Sequence, residues 1–264
     1  MNFSDYRAIA FRRDGRVLHA TFNRPDTLNA VDPDLHHDLE RLFPAVSSDP
    51  DTHVLVLTGA GRAFSAGGNI DQMQKAIDQP ALFLDDMLHA RRLVFSMIDC
   101  QKPVIAKVNG PAIGLGATIA LFSDLIIAAN HAKIGDPHVS VGFVAGDGGA
   151  VIWPQLIGYA RAKEYLLTGD PLTGEEAAKI GLINRAVPAE ELDKAVDQLA
   201  QRLANGASRA IQWTKQSINI GLKQLASSVM DASMALEALS NLTKDHQEAV
   251  NAFREKRQPK FTGE

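Results

Sequence analysis

Two segments of the chain share one pattern, AFSAGGNI at residues 63–70 and NGPAIGLG at residues 109–116. Each is a strand-like run that ends in a glycine-rich turn and continues into a helix-like pattern. Such a turn leaves the first backbone N–H groups of the helix without intrahelical acceptors, where the helix dipole favours negative charge. Two turns of this kind that converge would form an oxyanion hole, which stabilises an enolate or a tetrahedral oxyanion.

The composition is typical of a globular protein with a large core. The chain has 264 residues, of which 45% are hydrophobic, and this length suits one large α/β domain or one domain with an appendage. A net charge of −4 gives no attraction for nucleic acid or an anionic membrane. The single cysteine, Cys100, excludes an intramolecular disulfide. No signal-peptide pattern and no apolar run of roughly 20 residues is present, so a cytoplasmic protein is expected.

Strand and helix patterns alternate up to about residue 149, after which the pattern is almost wholly helical. Residues 6–13 and 16–22 alternate around Asp14-Gly15, which predicts a β-hairpin. A helix is predicted from Asp32, with Pro33 in its first turn. Further strands are predicted at residues 53–58, 104–108 and 125–129, and helices at 71–99, 114–121, 190–204, 208–220, 224–240 and 243–257. The pattern predicts an α/β core over residues 1–200 and a helical region over residues 201–264.

The ordered set of motifs resembles the crotonase (enoyl-CoA hydratase/isomerase) superfamily over nearly the whole chain. Besides the two glycine turns, it includes Asn23-Arg24-Pro25, Leu28-Asn29-Ala30, and residues 102–106, 123–125, 177–184 and 253–263. No single motif is diagnostic, whereas the ordered set is. The resemblance implies an α/β fold, a ClpP-like spiral of ββα units with a helical C-terminal trimerisation region. A homotrimer, or a hexamer made of two trimers, is therefore expected.

The resemblance also implies an enzyme that binds an acyl-CoA thioester. Its carbonyl oxygen would be held by the backbone N–H groups of Gly68 and Leu115. The substrate-binding residues that it implies are Arg24, Leu28, Ala66, Asn69, Ile70 and Thr118. CoA would enter as part of the substrate, and neither a metal nor a redox cofactor is expected.

The chain departs from the family at both of its usual catalytic glutamates. Thr118 stands at the first position, and its hydroxyl is too weakly acidic to act as a base unaided. His138 stands at the second position, after a proline. An imidazole titrates near pH 6.5, which suits general acid–base catalysis, and a carboxylate on its other nitrogen would orient it. We expect Asp147 to supply that carboxylate, while Asp136 is interpreted as a turn residue.

The spacing of His138 and Asp147 is similar to that in crotonase-fold β-diketone hydrolases, the oxocamphor hydrolase group. Those enzymes cleave a carbon–carbon bond by adding water to a ketone, without CoA. In that group a further carboxylate comes from the C-terminal helices, and Glu237 is its candidate here. Two structural alternatives remain: Asp147 as the N-cap of the following helix, and His138 as a solvated loop residue.

Charges near the expected CoA site oppose phosphate binding at two positions. Asp26 and Asp71 stand where many relatives carry basic residues. The basic residues that remain are Arg24 and, in the tail, Arg254, Lys256, Arg257 and Lys260. Three hypotheses follow: an acyl-CoA enzyme of hydratase or isomerase type, a CoA-independent hydrolase of cyclic β-diketones, and a catalytically silent binding protein.

Overall fold

Strands of the computed structural model, which describes residues 2–264, form two sheets. They are β1 (Ile9–Asp14), β2 (Val17–Phe22), β3 (Val54–Gly59), β4 (Val104–Val108), β5 (Ala112–Ile113), β6 (Leu125–Ala129), β7 (Lys133–Gly135), β8 (Leu172–Thr173) and β9 (Arg185–Val187). The larger sheet has the order β1-β2-β3-β4-β6-β9, and the smaller has the order β5-β7-β8. β1 and β2 form the predicted antiparallel hairpin, whereas the other neighbours in the larger sheet are parallel.

Helices connect these strands and form the C-terminal region. They are α1 (Pro33–Ser48), α2 (Ile70–Asp78), α3 (Pro80–Asp99), α4 (Leu115–Leu121), α5 (Gly149–Thr168), α6 (Gly174–Lys179), α7 (Leu192–Ala204), α8 (Ser208–Ser240) and α9 (Lys244–Glu255). The Asp32 side chain accepts a hydrogen bond from the Leu35 N–H, so α1 begins where the sequence predicts it. None of the helices within residues 2–264 combines the length and apolar character needed to cross a bilayer.

The main core lies between the larger sheet and the helices that pack on it. Every residue of β3 is buried, and the side chains of β4 and β6 are mostly buried as well. Parallel strands covered on both faces carry continuous apolar runs of this kind. α1 packs on α3, α3 packs on α8, and α7 packs on the central strands. The two glycine turns lie in the connections from β3 to α2 and from β4 to α4.

Proline and glycine account for two differences from the predicted helices. The helix predicted over residues 71–99 is divided into α2 and α3 at Gln79-Pro80, because Pro80 lacks an N–H and favours a first helical turn. Residues 208–220 and 224–240 instead form one helix, α8, which continues through Gly221. The boundary predicted at residue 200 lies inside α7, and the division into two parts remains a prediction.

Candidate active site

The two glycine turns pack directly against each other. Ser65 forms a parallel bridge with Ala112, and the Ile113 N–H donates to the Ser65 carbonyl oxygen at 3.0 Å. Gly67 has φ +77°, and a Cβ at this position would lie 2.3 Å from the Ile113 carbonyl oxygen. Only glycine adopts this φ readily and leaves room for the Ile113 carbonyl group. Gly67 is therefore required for the contact between the two turns.

Each turn presents one backbone N–H that is free of an internal partner. Gly68 is exposed, and Leu115 is the first residue of α4, so its N–H precedes the hydrogen-bonded part of the helix. Within residues 2–264, neither N–H has an acceptor. The side chain of Met73 lies over Gly68, where a Cβ would approach its methyl group to 3.0 Å.

His138 lies beside the second turn. A Cβ on Gly114 would be 3.6 Å from Cε1 of His138, which is ordinary van der Waals contact. His138 begins a 3-10 turn, His138–Val141, that ends at Gly142 with φ +72°. The imidazole is 11% exposed, so it is not a solvated loop histidine.

Three buried carboxyl groups surround the imidazole. Oδ1 of Asp136 contacts Nδ1 of His138. On the opposite side of the ring, Nε2 lies 3.6 Å from Oδ2 of Asp147 and 3.9 Å from Oε1 of Glu237. The Thr118 hydroxyl donates to Oδ1 of Asp147 at 3.3 Å. Strand β7, helix α4, the loop before α5 and helix α8 thus bring one acid–base cluster together.

The interpretation of Asp136 as only a turn residue is wrong, and so is the expectation that Asp147 occupies the orienting nitrogen. The turn Asp136-Pro137-His138 folds the Asp136 carboxylate back onto Nδ1, which leaves Nε2 facing Asp147. Asp147 is not the N-cap of α5 either, because Gly148 holds that position. The position of Asp136 two residues before His138 was the signal in the sequence. The sequence alone does not show whether the Asp136 side chain points toward the imidazole.

Burial and the charges of neighbouring side chains control the protonation of this cluster. Burial alone would lower the pKa of His138, but the carboxylates of Asp136 and Asp147 raise it well above its usual range. Burial raises the pKa of Asp147, against the lowering effect of the imidazolium. Burial, followed by the charge of Asp147, raises the pKa of Glu237 well above its usual range. Both shifts favour the protonated forms of His138 and Glu237.

The same cluster offers ligand atoms for a cation. One atom each from Asp136, His138 and Asp147 lies within 4.8 Å of the others. Imidazole nitrogen and carboxylate oxygen are common ligands of divalent metals. A metal bound here would compete with the proton on His138.

Most of the implied substrate-binding residues lie along the first turn. The Ala66 N–H donates to the Leu28 carbonyl oxygen at 3.0 Å, which joins the segment after Arg24 to the turn. Asn69 caps α2 by accepting from the Asp71 N–H at 2.8 Å, and Ile70 is the first residue of that helix. These backbone positions border Gly68, whereas Thr118 lies at the other side, beside Asp147.

Several cations that could bind a phosphate are already paired with acids. The Arg24 guanidinium lies 3.4 Å from Asp32 and 3.4 Å from Asp34. In the tail, Arg254 lies 3.2 Å from Asp71, and Arg257 lies 2.5 Å from Glu248. Among the described residues, the tail lysines without an ion pair are Lys256 and Lys260.

A small apolar cluster lies beside His138 and shares Met87 with the main core. Its buried members are Ala76, Phe83 and Phe143, and its partly buried members are Met73, Met87, Val141 and Ala238. The rings of Phe143 and His138 have centroids 6.4 Å apart.

Comparison with known proteins identifies strong similarities over nearly the whole chain. A family model described as enoyl-CoA hydratase/isomerase matches residues 12–264. Crotonyl-CoA hydratase of Syntrophomonas wolfei is 34% identical over 97% of this chain and 98% of its own length. The 1,2-epoxyphenylacetyl-CoA isomerase of Escherichia coli is 34% identical over 94% of this chain and 95% of its own length.

Solved structures show the same similarity in three dimensions. The crystal structure of an enoyl-CoA hydratase/isomerase from Mycobacterium paratuberculosis superposes with a TM-score of 0.89 and 37% identity, covering 94% of this chain and 99% of that chain. An enoyl-CoA hydratase from Mycobacterium avium subsp. paratuberculosis gives a TM-score of 0.88 and 28% identity, covering 97% of this chain and 99% of that chain. These superpositions confirm the predicted crotonase fold.

Proposed function

Because the chain belongs to the enoyl-CoA hydratase/isomerase family, we propose that it is an enzyme that acts on an acyl-CoA thioester through an enolate. The backbone N–H groups of Gly68 and Leu115 donate to the thioester oxygen as it becomes negative. One such donor is worth about 3 kcal/mol to a transition state. The observation that carries the proposal is the direct packing of the two turns, together with the position of His138 beside Gly114.

His138 moves the proton in place of a glutamate. Asp136 holds Nδ1, so Nε2 is the nitrogen left for proton transfer, and it lies on the side of Asp147 and Glu237. In a hydration, Asp147 removes a proton from water as the oxygen adds to the β-carbon. Nε2 of His138 then protonates the α-carbon of the enolate. In an isomerisation the same groups would carry one proton between two carbons. No cofactor beyond the CoA of the substrate is proposed.

Binding and turnover of CoA compounds test this proposal. Calorimetry with acetyl-CoA is expected to give saturable binding, and crotonyl-CoA is expected to lose its enoyl absorbance. Both His138→Ala and Asp147→Asn should abolish turnover while acetyl-CoA binding persists. Absence of binding at millimolar concentration would remove CoA from the proposal. Turnover that is unchanged in both variants would show that the acid–base cluster is structural.

A second candidate is the hydrolysis of a cyclic β-diketone without CoA. Two observations favour it: both Asp147 and Glu237 lie on the Nε2 side of His138, and Arg24, Arg254 and Arg257 are already paired. Water would add to one ketone carbonyl, the carbon–carbon bond would break to give a carboxylic acid, and the enolate of the other ketone would take its proton from His138.

A panel of cyclic 1,3-diketones separates the two candidates. Hydrolysis removes the ultraviolet absorbance of the diketone and releases one acid for each ring opened. Diketone turnover without acetyl-CoA binding would favour the hydrolase. Acetyl-CoA binding without diketone turnover would favour the acyl-CoA enzyme. Activity in neither assay would favour the silent binding protein.

We also propose assembly into homotrimers or into hexamers. Helix α8 and its neighbours carry exposed large apolar side chains, among them Trp213, Ile218, Leu236, Leu239 and Phe253. Burial of these apolar side chains between copies of the chain lowers the free energy and therefore favours association. Light scattering during size-exclusion chromatography measures the assembly.

A further inference from the structure

We propose that His246, on α9, is a positioning residue that holds the turn carrying His138. The inference rests on the proposed function, because it assigns His138 to proton transfer. His246 is fully buried, and it touches the 3-10 turn His138–Val141 and the residue that follows Gly142. Within residues 2–264, His246 forms no hydrogen bond or ion pair with the groups assigned to acid–base chemistry.

The first contact is a hydrogen bond to the end of the turn. Nδ1 of His246 lies 2.6 Å from the Val141 carbonyl oxygen. A carbonyl oxygen can only accept, so Nδ1 carries the proton and Nε2 carries the lone pair. Carbonyl groups at the end of a short helical turn lack internal donors, and a side chain that donates to them fixes the turn.

The second contact is a stack of rings. The ring of His246 lies on Phe143, with centroids 3.7 Å apart and an interplanar angle of 21°. The Phe143 N–H in turn donates to the His138 carbonyl oxygen at 2.8 Å. The ring of His246 is therefore one residue away, through Phe143, from the backbone of His138.

The close approach at Gly142 shows that the backbone of α9 is seated on the turn. A Cβ at Gly142 would lie 2.9 Å from both the N and the Cα of His246. Helix α9 is also fixed to α2, which follows the Gly68 turn. Gln247 and Arg254 hydrogen-bond to Gln74, and Arg254 pairs with Asp71. Helix α9 thus fixes the turn His138–Val141 relative to the turn that carries Gly68.

Two substitutions separate the two contacts. His246→Phe keeps an aromatic ring for the stack on Phe143 but removes the donor to Val141. His246→Asn keeps a donor at the position of Nδ1 but removes the ring. If the donor positions His138, kcat falls at least tenfold in His246→Phe with KM changed less than twofold, and His246→Asn recovers part of the loss. His131→Phe, at an exposed loop histidine, is the matched control and keeps wild-type kcat.

Histidine NMR tests the inference without any substrate. In the wild-type protein His246 should be the Nδ1–H tautomer, and in His246→Phe the titration of His138 should shift by about 0.5 pH unit or more. The Nε2–H tautomer in the wild type would overturn the inference, even if the variants fail to fold. A His138 titration and a kcat that are both unchanged in folded His246→Phe would also overturn it. If no substrate is found, the proposed function fails while the NMR result still decides the role of His246.

Discussion

Asp136 holds His138 through Nδ1, so the nitrogen that remains for chemistry is Nε2. The carboxylate and the imidazole are both buried, and only Pro137 separates the two residues in the chain. A buried carboxylate on one nitrogen of an imidazole selects the tautomer and stabilises the imidazolium. The reactivity of the site therefore depends on a carboxylate that does not face the substrate position.

Asp136→Asn is expected to lower activity about 100-fold or more, chiefly in kcat. The amide removes the charge that raises the pKa of His138, and its NH₂ group can donate to Nδ1, which leaves a neutral imidazole. Since the protonated imidazole is the acid, the basic limb of the pH–rate profile moves to lower pH. Rates measured from pH 5 to 9 check this result. The matched control, Asp170→Asn on an exposed loop, should leave the profile in place.

Local signals explain which parts of this structure are predictable. Asp14-Gly15 specifies the hairpin, and Asp32 with Pro33 specifies the start of α1, because turn and cap chemistry acts within a few residues. Pro80 divides the helix predicted over residues 71–99, so the signal was present in the sequence. The continuity of α8 through Gly221 depends on packing along its whole length, which local patterns do not report.

The candidate site is predictable only in part, for a different physical reason. His138 and Asp147 are close in sequence and become close in space. Glu237 reaches His138 from α8, and only the family resemblance suggested it. The contact of His246 with Val141 depends on how α9 docks, so no spacing in the sequence indicates it.

Glu237→Gln is expected to stabilise the fold at neutral pH while it impairs turnover. The folded-state pKa of Glu237 lies well above its unfolded value, because burial and the Asp147 charge disfavour the anion. As pH rises above the unfolded pKa, the unfolded state loses a proton that the folded state keeps, so the free energy of unfolding falls. A glutamine does not titrate, so the free energy of unfolding of the variant does not fall for this reason.

Thermal unfolding from pH 4 to 8 measures the effect. The melting temperature of the variant should rise relative to that of the wild type as pH increases. Glu190→Gln, at an exposed position, should have the same pH dependence as the wild type. A constant difference in melting temperature across the range would contradict this assignment of Glu237.

Zinc is expected to inhibit the enzyme, and a chelator is expected to restore it. Asp136, His138 and Asp147 can present ligand atoms within 4.8 Å of one another, so an ion that binds there displaces the proton on His138. Chelator alone should leave the rate unchanged. Initial rates with EDTA, with zinc and with zinc followed by EDTA give the comparison. Loss of activity in EDTA alone would mean that the site requires a metal, contrary to the proposed mechanism.

His36→Leu is expected to make the fold more resistant to acid. Burial, together with the neighbouring His89, lowers the pKa of His36 to about 4. Between pH 6.5 and about pH 4, His36 is protonated in the unfolded state but not in the folded state. The free energy of unfolding therefore falls as pH decreases, by at most about 3 kcal/mol. Urea unfolding at pH 7 and pH 4.5 should show a smaller difference in the variant. His37→Leu, at the adjacent exposed histidine, should retain the full difference.

Gly67→Ala is expected to lower kcat about 100-fold or more while the protein remains folded. An alanine Cβ would lie 2.3 Å from the Ile113 carbonyl oxygen, so the two turns must separate and the Gly68 N–H moves away from that of Leu115. Gly15→Ala is the matched control, because Gly15 has φ +55° and nothing within 4 Å of a new Cβ. Both variants bear the strain of a left-handed alanine, about 1 kcal/mol. Only Gly67→Ala adds a backbone clash and changes the geometry of the two donors, so its kcat and its stability should both fall further than those of Gly15→Ala. Equal kcat in the two variants would mean that the spacing of these amides does not matter to the reaction.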